Sequence, residues 1–496
     1  MIYTVTSTLP QVHGGRTKSL LSRIKLLDTE LNIKNKILTT NYNENYPSVY
    51  KSFIDSAKVT ENIEFENIYD WLSDFKLFNT PKTIFTNKIK YETLDEKIDG
   101  LTFKEDKNKN AIRYYNKERY VLYRQLYENS KIVKFEDFMS PICKKKIERW
   151  EYNEFGQLHR KKYFSRKNFV RMTEEYFDTE GNIYCKKFYD NDETNQLDYI
   201  EIYKEGRPFK AFKTEKEMFE YYFENRFKDG DIVFNDARLL DRPLLNQYHK
   251  TKNILVFHNS HLDGEKIKGS YKFALENSDK VSKYLLLTEK QKNDIQQQLN
   301  INNNKIAIIP HSIKEYNRDN SVEKLDRFIF LGRLGTQKQL DHLIKAYKQF
   351  LDFGYSTKLS IYGADEQGQK QMMIDLINQF GIQDKVEFYD FTNEPLNEFQ
   401  KSRASLLTSK FEGFGLTVME SIEVGCPVIS YDVRYGPSEI INHGQNGYLV
   451  EADNIELFAK YMAEIVNHPL ENVKTNESLR HQTAVYNFSK LFEGLE

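Results

Sequence analysis

The feature that most limits what this chain can become is an alternation in its C-terminal third. Strand-sized apolar runs stand at Phe328 to Leu331, Leu359 to Tyr362, Val386 to Tyr389, Leu406 to Thr408 and Val428 to Tyr431. Between them Leu340, Leu343, Ile344 and Tyr347, then Met373, Leu376, Ile377 and Phe380, recur at helical spacing. Continuous rather than alternating apolarity means that both faces of a strand are covered. Such strands joined by amphipathic helices specify a parallel sheet with helices on both sides, the α/β class. Gly332, Gly363 and Gly436 fall at or just beyond strand ends. That is the edge where sheets of this kind bind ligands.

The N-terminal part carries a second, interrupted set of the same units. Ile2 to Val5 reads as a strand, Leu9 to Gly15 as a loop, and a helix from about Thr17 puts Leu20, Leu21, Ile24 and Leu27 on one face. Lys36 to Thr39 is strand-like, and the pattern resumes only at Asp231 to Phe234, Ile254 to Phe257, Tyr284 to Leu287 and Ile306 to Ile309. Between these parts aromatic and charged residues alternate. Trp150 to Gly156, Glu175 to Gly181 and Ile200 to Gly206 align on a period of 25, each ending on a glycine expected at a hairpin tip. Ordinary hairpin spacing would also give that period. The pattern predicts an antiparallel sheet inserted into the first α/β domain. Expected boundaries are 1–69 and 216–320 for the first α/β domain, 70–215 for the β-rich insert, 321–478 for the second α/β domain, and 479–496 for a C-terminal helix.

With 72 basic and 73 acidic residues, a globally basic nucleic-acid binder is excluded. The insert has its own balance: twelve Lys and Arg against seven Asp and Glu from Lys144 to Lys187. That excess would steer an acidic partner, or would simply solvate an outer sheet face. Its sheet edges also offer a surface for homo-oligomers. Three cysteines, Cys143, Cys185 and Cys426, make neither a disulfide framework nor a CxxC metal site, which points to a reducing compartment. The chain opens on Met-Ile-Tyr-Thr-Val-Thr without a signal-like pattern, and no apolar run nears the roughly 18 residues of a spanning helix. A cytoplasmic protein without a transmembrane segment is expected, with peripheral attachment at the inner membrane face as the alternative.

Four segments carry chemistry. In Glu412-Gly413-Phe414-Gly415-Leu416-Thr417-Val418-Met419-Glu420, the glycines allow close backbone approach, and the amides of Gly415 to Thr417 open a helix able to hold phosphate. Glu420, just over one turn into that helix, suits the paired hydroxyls of a ribose. In Gly332-Arg333-Leu334-Gly335-Thr336-Gln337-Lys338, a planar fork and a point charge are spaced to meet one diphosphate. His258-Asn259-Ser260-His261 follows a strand; with no Cys or third His nearby, sugar or acceptor contacts fit better than zinc, and a structural histidine remains the plainer alternative. Gly14-Gly15 lacks the full GxGxxG spacing, so NAD is poorly supported.

Arg333 with Lys338 and Glu412 with Glu420 resemble the donor-site motifs of retaining glycosyltransferases of the GT-B fold, family four. The resemblance extends to Gly14-Gly15 and to the His258 to His261 segment. With its β-rich insert the chain looks like the bacterial branch that modifies serine–aspartate repeats of surface adhesins or wall teichoic acid, and the serine–aspartate enzymes look nearer. The resemblance implies two facing Rossmann-like domains with the inserted antiparallel sheet, and a nucleotide-binding, UDP-sugar-dependent hexosyltransferase. Glu412, His261 and His258 would serve the reacting sugar and acceptor. Arg333, Lys338 and Gly15 would hold the donor diphosphate. Gly14, Tyr389, Phe391, Gly415, Leu416, Thr417 and Glu420 would line the nucleotide and sugar.

No metal and no cofactor beyond the substrate UDP-GlcNAc or a related UDP-sugar is implied. The expected function is transfer of GlcNAc to serine hydroxyls of an acidic Ser-Asp repeat polypeptide, a protein O-glycosylation. Poly(ribitol- or glycerol-phosphate) teichoic acid is the alternative acceptor. A non-catalytic glycosyltransferase-like partner or chaperone binding glycopeptide is the alternative of another class, and a UDP-sugar epimerase is a third.

Overall fold

The computed structural model describes residues 1–11, 14–77, 91–318 and 321–495. Contacts divide the chain into two compact units, residues 1–28 with 33–252 and residues 29–32 with 253–496.

In the first unit parallel strands lie in the order Ile232–Asn235, Ile2–Thr6, Asn35–Thr39 and Glu64–Asn67. The expected helix runs Gly15–Leu31 and buries Leu20, Leu21, Ile24 and Leu27. Tyr46, Val49 and Phe53 of the helix Tyr46–Asp55 complete that core. Arg23 of the first helix forms an almost wholly buried pair with Asp236, 2.6 Å apart.

The insert is a ten-stranded meander from Thr102 to Phe212, every strand antiparallel to its chain neighbour. Gly156, Gly181 and Gly206 sit at hairpin turns with φ of +87°, +84° and +74°. The left-handed region is closed to most side chains, so the period of 25 is the sheet's own repeat of turns. The meander begins well before that repeat. Strands Thr102–Asp106, Ala111–Asn116, Arg119–Leu126 and Val133–Met139 turn on Asn110, Lys117 and Asn129, all with positive φ, and so carry no glycine signal.

Several of the insert's cations are held by carboxylates or aromatic rings within the first unit. Arg149 pairs with Asp137 (2.6 Å), Lys162 with Glu151 (2.9 Å), Lys186 with Glu175 (2.7 Å) and Lys187 with Glu215 (2.5 Å). Lys161 lies 3.8 Å from the Trp150 ring and Lys146 4.4 Å from that of Phe164. Arg166 and Lys167, in a turn, are exposed.

In the second unit the strands Lys252–Val256, Lys283–Leu286 and Ile306–Ile308 pair in parallel. A six-stranded parallel sheet has the order Val386–Tyr389, Lys358–Tyr362, Arg327–Leu331, Ala404–Leu407, Val428–Tyr431 and Gly447–Val450. The first five are the apolar runs read from the sequence. The helices Leu340–Asp352 and Ile455–Asn467 cover one face, with Leu343, Ile344, Tyr347, Phe458 and Met462 in the core. The last helix, His481–Glu493, is anchored by Arg480 to Glu423 (2.8 Å) and by His481 to Glu30 (3.0 Å). Among the described residues no helix is long and apolar enough to cross a membrane.

Candidate active site

Strands Arg327–Leu331 and Ala404–Leu407 are parallel neighbours, so the loops after them leave the same edge side by side. Backbone and short side chains stitch those loops together. The Gln337 side-chain amide donates to the Phe411 carbonyl (2.6 Å), the Lys410 amide to the Gln337 carbonyl (2.8 Å), and the Thr408 hydroxyl to the Lys338 carbonyl (2.9 Å). Gly363, φ +150°, is required here, because a Cβ would stand 1.8 Å from the Gly332 carbonyl oxygen.

This stitching brings Lys338 to Glu412, 74 residues away in the chain. The ammonium donates to Glu412 Oε1 at 2.6 Å, and Ser409 Oγ donates to the same oxygen at 2.6 Å. Both partners of the ion pair are mostly buried. Arg333 points elsewhere: its guanidinium pairs with Glu366 at 3.0 Å, and its side chain is 65% exposed. Each cation of the diphosphate motif is therefore held by a carboxylate on a neighbouring βα loop. A charge-assisted pair of this kind can exchange one anion for another without stranding the cation.

Glu420 is buried in the helix Leu416–Glu423. Gly415 precedes it with φ +96°, and the unpaired amides of a helix's first turn present positive charge to a ligand. Gly413 packs backbone to backbone: a Cβ there would stand 1.9 Å from the His258 carbonyl oxygen. Gly436 does the same with the Phe414 carbonyl, at 1.6 Å.

The glutamate loop thus lies against the segment bearing both histidines. His258 stacks on His311 with centroids 6.0 Å apart, and His311 meets the Phe414 ring edge to face at 5.1 Å. His261 is wholly buried, stacks on Tyr435 at 6.0 Å, and has no hydrogen-bond partner among the described residues at either ring nitrogen. Burial pushes its pKa down to about 4, partly offset by Asp294, so the ring is neutral at neutral pH. Tyr435 donates to Asp294 at 2.7 Å, and Arg434 pairs with the same carboxylate at 3.0 Å. Glu439 accepts from the amides of Glu289 and Lys290, both at 3.0 Å, and so caps the helix Glu289–Gln298.

Tyr389 stacks on Tyr362 at 4.5 Å and is partly exposed; Phe391 is 63% exposed. Both leave the edge strand with ring area available to a base. In the first unit Gly15 opens its helix, and a Cβ on Gly14 would meet nothing within 4 Å, so local packing does not demand a glycine at that position. The adjoining His13 lies outside the described residues.

Sequence reasoning missed Glu366, Ser409, His311, Tyr435 and Asp294. Ser409 was discoverable, since it lies in the same strand-to-helix turn as Glu412. Glu366 sits in the loop after strand Lys358–Tyr362, but nothing in its spacing ties it to Arg333. The stacking of Tyr435 on His261 and of His311 on His258 is purely tertiary.

Comparison with known proteins places these loops in a family. The fold is that of GT-B glycosyltransferases, and the chain is an enzyme of that class. Residues 312–484, which carry Arg333, Lys338, Glu412 and Glu420, belong to the group 1 glycosyl transferases. The poly(glycerol-phosphate) alpha-glucosyltransferase of Bacillus subtilis is 26% identical over 490 residues, covering 96% of this chain and 71% of its own. The GtfA subunit of the UDP-N-acetylglucosamine–peptide N-acetylglucosaminyltransferase of Streptococcus gordonii is 26% identical over 447 residues, covering 82% of this chain and 81% of its own. Among solved structures, a Staphylococcus aureus TarM variant in complex with fondaparinux, alpha-GlcNAc-glycerol and UDP superposes with a TM-score of 0.81 at 23% identity, over 100% of this chain and 99% of its own.

Proposed function

We propose that this chain is a retaining glycosyltransferase that moves a hexose, GlcNAc in first place, from a UDP-sugar to a hydroxyl of an anionic polyol-phosphate polymer. The observation that carries the reading is the junction of Lys338, Glu412 and Ser409 on adjacent loops at the carboxyl edge of one parallel sheet. In the donor complex the diphosphate takes the place of Glu366 on Arg333 and of Glu412 on Lys338. Glu412, released, accepts hydrogen bonds from hydroxyls of the transferred sugar. The helix start at Gly415 to Thr417 faces the donor's negative charge, and Glu420 holds the ribose. Tyr389 and Phe391 flank the base. His261, neutral, acts as a hydrogen-bonding group on the sugar or acceptor rather than as a cation, and His258 stands beside it.

The bond from the anomeric carbon to the phosphate oxygen breaks as the two cations stabilise the departing UDP. The acceptor oxygen attacks from the same face, and its proton passes to the leaving phosphate oxygen. Two side-chain cations supply the electrostatic work, so no step calls for a divalent ion.

The polyol-phosphate acceptor is supported by the Bacillus relative, which matches nearly the whole chain. The second reading, an acidic serine-rich polypeptide such as a Ser-Asp repeat, is supported by the GtfA relative, which matches less of it. The experiment is incubation with labelled UDP-GlcNAc and UDP-glucose against poly(glycerol phosphate), poly(ribitol phosphate) and a Ser-Asp peptide. Label in a polyol polymer, with an α-anomeric coupling by NMR, is the expected result. Label only in the peptide overturns the first reading in favour of the second.

A further inference from the structure

Outside the donor loops, the first unit holds a polar cavity of about 540 Å³ where the insert meets Asn41, Tyr42 and Tyr69. Its wall carries four cations, Arg160, Lys162, Arg171 and Lys187, all on the insert's central strands. Their carboxylate partners are three: Glu151 for Arg160 and Lys162, Glu174 for Arg171, and Glu215 for Lys187. Four positive charges against three negative leave one in excess.

By these pairings the excess lies with Arg160 and Lys162, which share Glu151, while Arg171 carries a separate deficit, in hydrogen bonds. Glu174 Oε2 is already occupied by the hydroxyls of Tyr176 (2.8 Å) and Tyr189 (3.0 Å). Glu174 Oε1 alone serves Arg171 at 2.9 Å and Lys162 at 4.0 Å. The Arg171 guanidinium is spread over the Tyr189 ring at 3.7 Å, and its Nε is buried with no hydrogen-bond partner among the described residues. A buried donor without an acceptor is a standing deficit that an anion would remove.

We propose that this cavity binds one phosphodiester of the acceptor polymer, a second hold on the acceptor separate from the donor loops. A phosphodiester is a tetrahedral monoanion, which matches both the single unmatched charge and donors arriving from several directions. The volume takes a polyol-phosphate unit rather than a bare ion, and Asn41 and Asn195 in the wall suit its hydroxyls. The inference rests on the polyol-phosphate reading above for the identity of the ligand, but the cavity's preference for phosphate does not.

The test is hydrogen exchange on the full chain with three probes: oligo(glycerol phosphate), inorganic phosphate and glucose. Both phosphate probes, and not glucose, are expected to protect strands Leu158–Phe164, Arg171–Phe177 and Ile183–Tyr189. Arg171→Gln is expected to weaken oligomer binding about tenfold or more, with UDP affinity by calorimetry reporting that the variant has folded. Lys162→Gln serves as the second variant.

No protection of those strands by either phosphate probe, or equal oligomer affinity in both variants and the wild type, overturns the proposal. Protection by inorganic phosphate without competition from the oligomer makes the cavity a free-phosphate site and overturns the acceptor assignment. Should the polymer bind here and yet receive no sugar, the proposed reaction fails while the cavity assignment stands.

Discussion

Two regions of this molecule hold cations against carboxylates, and they do so in opposite ways. At the donor loops Lys338 and Arg333 meet Glu412 and Glu366 across βα turns, where each partner belongs to a different loop. In the insert Arg149, Lys162 and Lys186 meet Asp137, Glu151 and Glu175 across neighbouring strands, with the ladder fixing each pair. The first arrangement can trade its carboxylate for a ligand's phosphate. The second is locked by register, so moving one charge means moving a strand. The same residue types therefore serve the proposed binding in one place and sheet specificity in the other, and only the backbone beneath them tells which.

Lys338→Gln should break that comparison hardest. In the proposed mechanism it removes a cation that acts on the leaving group, and kcat/KM for both transfer and donor hydrolysis should fall about 10²–10³-fold in steady-state assays. A fall in transfer alone would move Lys338 from the donor to the acceptor.

His261 gives the next effect, read in stability rather than rate. Its ring takes a proton near 6.5 when unfolded but only near 4 when folded. Between those values the unfolded state binds the extra proton. Stability is thus complete above about pH 6.5 and declines as pH falls toward 4, by up to roughly 3 kcal/mol. Denaturant titrations at stepped pH should show this slope in the wild type and a flatter one in His261→Gln.

Arg333→Lys keeps the charge and loses the planar fork, so donor KM should rise about tenfold with a smaller change in kcat. Lys186→Gln, inside the insert's ladder, should shift unfolding free energy by less than about 1 kcal/mol and leave donor turnover alone. EDTA should change the transfer rate least of all, since the proposed electrostatics come from side chains.

Much of this was legible before any coordinates. Strands covered on both faces are written as apolar runs, so five strands of the six-stranded sheet could be read directly, whereas Gly447–Val450 opens on glycine. The hairpins tipped by Gly156, Gly181 and Gly206 were readable because their turns need positive φ. The four strands before them hid because asparagine and lysine took those turns instead. Of the site, the placing of the Lys338 and Glu412 loops at strand ends followed from the apolar runs, and their meeting came only with the strand order. The partnership of Arg333 with Glu366 did not, because loop conformation rather than strand order decides it. The local charge excess could be counted from the sequence, but which of its cations meet a carboxylate across a strand, as Arg149, Lys162 and Lys186 do, is a distinction that residue counts cannot draw.

The bare contacts at Gly413 and Gly436 have an evolutionary reach. Where main chain touches main chain, there is no side chain to trim or enlarge, so gradual drift finds no handle. A side chain at either position would have to displace backbone, so a change of sugar is more readily made on the residues around them. A library aimed at a new donor should leave both positions untouched and randomise Ser409, Glu366 and His311.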